Sequence, residues 1–153
     1  IEFARNVLGI PDANSKEFDS LTPNHIITLL SSQAKVTEIW GTMRLWAQKS
    51  ILKKWQIYEL YKSGKRTEEW EKIIERFRHR YEVNPKYVSQ LEQAGVQVSW
   101  VSEKEGIVQF IELLPEIHPY FVATQSHPEL TSRLDIPAPL FMWLVWACKK
   151  KKE

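Results

Sequence analysis

The 153 residues, 43% apolar and 26% charged, make one globular domain's worth of chain and leave no room for a second full domain. Lys and Arg number 21 against 19 Asp and Glu, and a net charge of +2 gives no electrostatic case for a nucleic-acid or membrane partner. One cysteine, Cys148, excludes an internal disulfide framework and a cysteine-rich zinc site, and no apolar run approaches the roughly 18 residues of a membrane helix.

Ile1 to Leu8, closed by Gly9-Ile10-Pro11, reads as the last turns of a helix with glycine as its stop. Pro11 to Asn24 is a polar loop, and His25 to Leu30 a short buried strand. Ile39 to Leu45 is a second strand, and Leu52 to Tyr61 has the apolar density of a helix. After the turn at Ser63-Gly64, Thr67 is placed to cap a helix with Trp70, Ile73, Ile74 and Phe77 at i, i+3, i+4 and i+7. Arg78 to Val83 is extended and stopped by Asn84-Pro85, and Lys86 to Ala94 is a helix ended by Gly95. Val96 to Ser102 and Ile107 to Leu113 flank Lys104-Glu105-Gly106 as a hairpin, followed by a third strand over Tyr120 to Gln125. Pro137 to Lys151 closes the chain as a helix with lysines where its dipole favours cations. The class is mixed α/β.

The sharpest chemical feature is His127-Pro128-Glu129, directly after a strand. A carboxylate two residues from an imidazole can fix its tautomer and support its charged form, making an oriented base. The plainer alternative is surface decoration. Arg76-Phe77-Arg78-His79-Arg80-Tyr81-Glu82 packs three arginines into five positions, either a solvated face or a fork for carboxylate or phosphate. Cys148, inside the last helix, reads as a buried structural thiol. There is no glycine-rich phosphate loop, and the four histidines lack metal-ligand spacing, so no metal site is expected.

Five blocks carry a resemblance. Glu2-Phe3-Ala4-Arg5-Asn6-Val7-Leu8-Gly9, Asp12 to Phe18, Gly41-Thr42-Met43-Arg44-Leu45, Arg78-His79-Arg80-Tyr81-Glu82-Val83-Asn84-Pro85, and His127-Pro128-Glu129 with Ser132-Arg133 resemble, in order and spacing, the glutaminase domain of CTP synthase. The resemblance spans nearly the whole chain. It implies a flavodoxin-like class I glutamine amidotransferase fold, a mixed sheet with flanking helices, and glutamine hydrolysis by a Cys-His-Glu triad. Ammonia would pass to a synthase domain in which Mg-ATP activates UTP; no cofactor is expected within these residues. By the same resemblance His127 is the triad base and Glu129 its orienting carboxylate, while Glu17 and Arg80 grip the amino and carboxylate ends of glutamine.

The match begins just past the nucleophile's elbow, so the expected picture is a partial glutaminase-like domain over residues 1–153. It would be inactive without an upstream or partner polypeptide and would form part of an oligomer or larger complex. Its expected location is the cytoplasm, or an organelle after processing. Trp40, Trp46 and Trp143 stand where the family usually has glycine, and Phe77 and Ser126 also depart from it. A Gly-to-Trp change is costly wherever the backbone needs positive φ or close approach. The competing expectation is therefore a degenerate, non-catalytic relative whose added tryptophans serve an interface.

Overall fold

A computed structural model describes residues 1–30, 43–52, 56–64 and 72–150. The chain divides into two compact units, one of Ile1–Arg44 with His79–Val96 and the other of Leu45–Arg78 with Gln97–Glu153.

The first unit opens with helix α1 (Glu2–Asn6), closed by Gly9 at φ +68°, as the glycine stop predicts. Strand β1 (Asn14–Ser15) pairs in parallel with β2 (His25–Thr28), which pairs antiparallel with β5 (Glu82–Val83), Ile27 opposite Val83. Asn84 ends β5 and starts the next helix, α3 (Pro85–Gln93). Its side chain accepts the Lys86 N–H at 3.1 Å, and its own amide nitrogen donates to the His25 carbonyl at 2.8 Å. Pro85 at the first helical position has no N–H to leave unpaired. Ala4, Ala13, Ile26 and Tyr87 form the core of this unit, and the Tyr87 hydroxyl donates to Asn24 at 2.7 Å.

The second unit is built on a five-stranded sheet in the order β4-β3-β6-β7-β8. Its strands are β3 (Arg44–Leu52), β4 (Lys72–His79), β6 (Gln97–Ser102), β7 (Val108–Glu112) and β8 (Val122–Thr124). The hairpin β6–β7 turns at Gly106, φ +65°, and β8 lies antiparallel on β7. Helices α2 (Gln56–Ser63) and α4 (Pro139–Lys150) supply Ile57, Tyr58, Tyr61, Leu140 and Trp143 to a core shared with Ile73, Trp100 and Phe110. Its centre is aromatic. Trp100 meets Phe110 edge-on at 4.1 Å between ring centroids and Tyr61 at 4.6 Å, geometries that favour the ring quadrupoles.

Several expectations need correction. The helix through Ile73, Ile74 and Phe77 is strand β4: Ile73, Glu75 and Phe77 face inward and Ile74, Arg76 and Arg78 outward. A spacing of four suits both a helix face and a strand face, and the paired β-branched residues Ile73-Ile74 favour the strand. Thr67 and Trp70 lie outside the described residues, as do Trp40 and Trp55. Of the strand expected over Ile39 to Leu45, residues 39–42 lie outside the described residues, and the strand seen runs from Arg44 to Leu52. Of the helix expected over Leu52 to Tyr61, Leu52 belongs to that strand, residues 53–55 lie outside the described residues, and the helix covers Gln56–Ser63. Gln48, Lys49 and Ser50 hid that strand by their polarity. Cys148 is exposed on α4, because the inward positions there are Leu140, Trp143 and Ala147.

The replaced glycines have different fates. Trp46 is the one non-glycine residue with positive φ among the described residues, at +71°, and its side chain is 74% exposed. Trp143 is 5% exposed and packs edge-on against Tyr120 at 4.9 Å, so it belongs to the core of this unit. No described helix is long and apolar enough to cross a membrane.

Candidate active site

His127 and Glu129 leave the end of β8 together. Ser126 forms an isolated antiparallel bridge with Phe77, and the His127 N–H donates to the Arg76 carbonyl at 2.8 Å, hanging this segment on β4. Pro128–Leu130 then makes one 3₁₀ turn, with the Leu130 N–H on the His127 carbonyl. Proline at its first position presets the turn. The turn folds Glu129 back so that its Oε1 lies 2.6 Å from Nδ1 of His127.

That contact orients a base. The hydrogen bond from Nδ1 to the carboxylate leaves Nε2, which has no partner among the described residues, to take or give a proton. The imidazole holds the Glu129 carboxyl below its ordinary 4.5, and a bond to the turn's backbone adds to the effect. The two side chains are 38% and 55% exposed, so the pair is open to an incoming group.

The other two sequence-predicted residues belong to the first unit. Glu17 follows β1, exposed, its N–H donating to Ser15 Oγ at 3.2 Å. Arg80 precedes β5, half-buried, its guanidinium 5.3 Å from the Tyr81 ring. The register Ser15–Ile27 and Thr28–Glu82 carries both chain segments to the C-terminal end of β2, one on each side of it. An acid and a guanidinium flanking one strand end suit a ligand with an ammonium and a carboxylate.

One feature of this unit escaped sequence reasoning. Glu82 is fully buried, and its Oε1 accepts from Arg44 Nε and from His79 Nε2, the latter at 3.1 Å. Its signal in the sequence is the arginine run itself, which ends on Glu82 and places His79 three residues before it. Among the described residues no cluster of His, Cys, Asp and Glu could hold a metal ion. A groove of about 420 Å³ between α2 and α4, lined by Gln56, Glu59, Leu60, Ser63, Trp143 and Trp146, includes none of the predicted site residues.

An α/β fold carrying an oriented His–Glu pair at a strand end fits an amidotransferase, and the comparisons agree. The family model for class-I glutamine amidotransferases matches residues 18–147, and the chain belongs to that family. Within it, the similar proteins are CTP synthases. The chain is 51% identical over 148 residues to the CTP synthase of Saccharolobus solfataricus, covering 96% of this chain and 26% of that protein. It is 43% identical over 152 residues to that of Methanococcus aeolicus, covering 99% and 27%. A solved structure of the Trypanosoma brucei CTP synthase glutaminase domain with bound acivicin aligns at a TM-score of 0.81 and 31% identity, over 97% of this chain and 55% of that one. The chain thus spans about a quarter of the length of its curated relatives.

Proposed function

We propose that this chain supplies the acid–base half of a cysteine-dependent glutaminase whose ammonia converts UTP to CTP. The observation that carries the reading is the 2.6 Å contact between His127 Nδ1 and Glu129 Oε1. With Nδ1 engaged, Nε2 takes the proton of a thiol supplied from outside this sequence, and the thiolate attacks the side-chain carboxamide carbon of glutamine. The imidazolium returns that proton to the departing nitrogen, releasing ammonia and leaving a thioester. Water, deprotonated by the same Nε2, then cleaves the thioester to glutamate. Glu17 holds the ammonium of glutamine and Arg80 its carboxylate. Mg-ATP would act in the remaining length of the relatives, where UTP is activated, and that length is the natural partner of this chain.

The test is glutamine hydrolysis by the polypeptide that joins this chain to that remaining length. His127→Ala should lower kcat by on the order of 10³-fold or more. Activity that survives the substitution removes His127 from the mechanism. A second reading, a non-catalytic relative, is favoured by the tryptophan at the left-handed position 46. It predicts no hydrolysis from the joined polypeptide even with His127 intact.

A further inference from the structure

Strand β4 buries Glu75 between Ile73 and Phe77, all three facing inward. An apolar side chain would continue that face without the desolvation a carboxyl incurs when its hydrogen bonds to water are not replaced. Here they are replaced. Tyr61 of α2 donates its hydroxyl to Oε1 at 3.1 Å, and the Thr131 hydroxyl lies 3.2 Å from Oε2. Thr131 is the residue that closes the 3₁₀ turn of His127-Pro128-Glu129. Its single proton is shared with the Pro128 carbonyl, also at 3.2 Å, so one hydroxyl ties the turn to itself and to the core.

From this geometry we propose that Glu75 is a positioning residue for the His127–Glu129 pair. The turn is held to β4 at two points. The His127 N–H on the Arg76 carbonyl fixes its start, and Thr131 on the neighbouring Glu75 fixes its end. Two anchors on adjacent residues of one strand set both the position and the twist of the turn, and so the approach of Glu129 to the imidazole. With only the first anchor the turn can pivot about the His127 backbone. The Glu129 carboxylate is largely exposed and has water to turn to. Tyr61 holds the other carboxyl oxygen and keeps Glu75 in the rotamer that faces Thr131.

The proposal rests on His127 and Glu129 being the acid–base pair, but its first test reads geometry and not turnover. Nitrogen NMR of the His127 ring in its neutral form reports the tautomer in the 153-residue chain. The intact chain should show the Nδ1–H form held by Glu129. Thr131→Val, which keeps the shape and loses the hydroxyl, should return the ring to the tautomer mixture of a free imidazole, and Thr131→Ser should restore the held form. Glu75→Leu should shift the tautomer no further than Thr131→Val does, because both remove the Thr131–Glu75 contact. A ring tautomer unchanged in a folded Thr131→Val chain overturns the proposal. Loss of the dispersed amide spectrum in that variant overturns it too, since the contact would then be holding the fold and not the turn.

In the joined polypeptide, the same substitution should lower kcat for glutamine by about tenfold or more and move KM by less than about twofold. If His127→Ala leaves hydrolysis intact, the glutaminase reading fails while the tautomer result still decides the anchor.

Discussion

Glu112 offers a quantitative test of the core of the second unit. It sits on β7 with its side chain 1% exposed, and its Oε2 accepts the Ile57 N–H at the start of α2 at 3.3 Å. A helix N-terminus favours a negative charge by at most about 2 kcal/mol in a partly buried setting. Burial works the other way and wins, raising the carboxyl from its ordinary 4.5 to about 7. Between those two values the folded chain keeps a proton that the unfolded chain has released. Stability is therefore full below about pH 4.5 and falls as pH rises through 7, after which it is level. At 1.36 kcal/mol per pH unit the loss is about 3 kcal/mol.

Glu112→Gln keeps an oxygen to accept from Ile57 and cannot ionise, so its stability should lack this slope. Urea unfolding followed by tryptophan fluorescence at pH 5 and pH 8 measures the difference. The two chains should differ by a constant amount at low pH, and the variant should gain about 2–3 kcal/mol relative to the parent by pH 8. Any cost of the new amide hydrogens enters equally at both pH values and cancels. Parallel profiles from pH 5 to 8 would show that Glu112 ionises as freely in the folded chain as in the unfolded one.

Two further outcomes follow from the geometry. Trp46→Gly removes an L side chain from φ +71°, a conformation costing roughly 1–2 kcal/mol, and returns about 0.5–1 kcal/mol of it in chain entropy. The urea midpoint should rise by the equivalent of about 1 kcal/mol, and a lower midpoint would mean that the exposed indole stabilises the fold by contacts worth more than the strain. The Glu129 carboxyl, followed by carbon NMR, should titrate below 4.5 in the intact chain and return towards it in His127→Ala. An identical midpoint in both would remove the imidazole as the cause.

What the sequence made legible follows from which signals are local. Gly9, Gly95 and Gly106 all have positive φ at the stops and turn read from them, because only glycine adopts that geometry freely. The hairpin β6–β7 and the helix after Asn84 were equally readable, since their capping and turn residues are adjacent in the chain. Strand β4 was misread because its inward face contains a glutamate, and burial of Glu75 depends on Tyr61 and Thr131, which are distant in sequence. The His127–Glu129 contact needs only the local turn over Pro128–Leu130, so the spacing offers it, though the spacing alone does not separate it from surface decoration. By contrast, the placement of Glu17 and Arg80 about β2 depends on strand register, which spacing along the chain does not reveal.

The interleaving of the two units bears on how the chain reaches its native state. The first unit takes its chain from both sides of the segment Leu45–Arg78, and the second must wait for Gln97 onward. During synthesis from the N-terminus, β2 emerges long before β5, and the pairing of Ile27 with Val83 cannot close until the intervening loop has been made. The β6–β7 hairpin needs no such wait and should form within microseconds of its appearance. Pairing within the first unit therefore lags its translation: β2 can join β1 at once, but its other edge stays open until β5 has been made. In the interim β2 presents an unpaired edge of Ile26 and Ile27, the stretch where a nascent-chain chaperone would have most to protect.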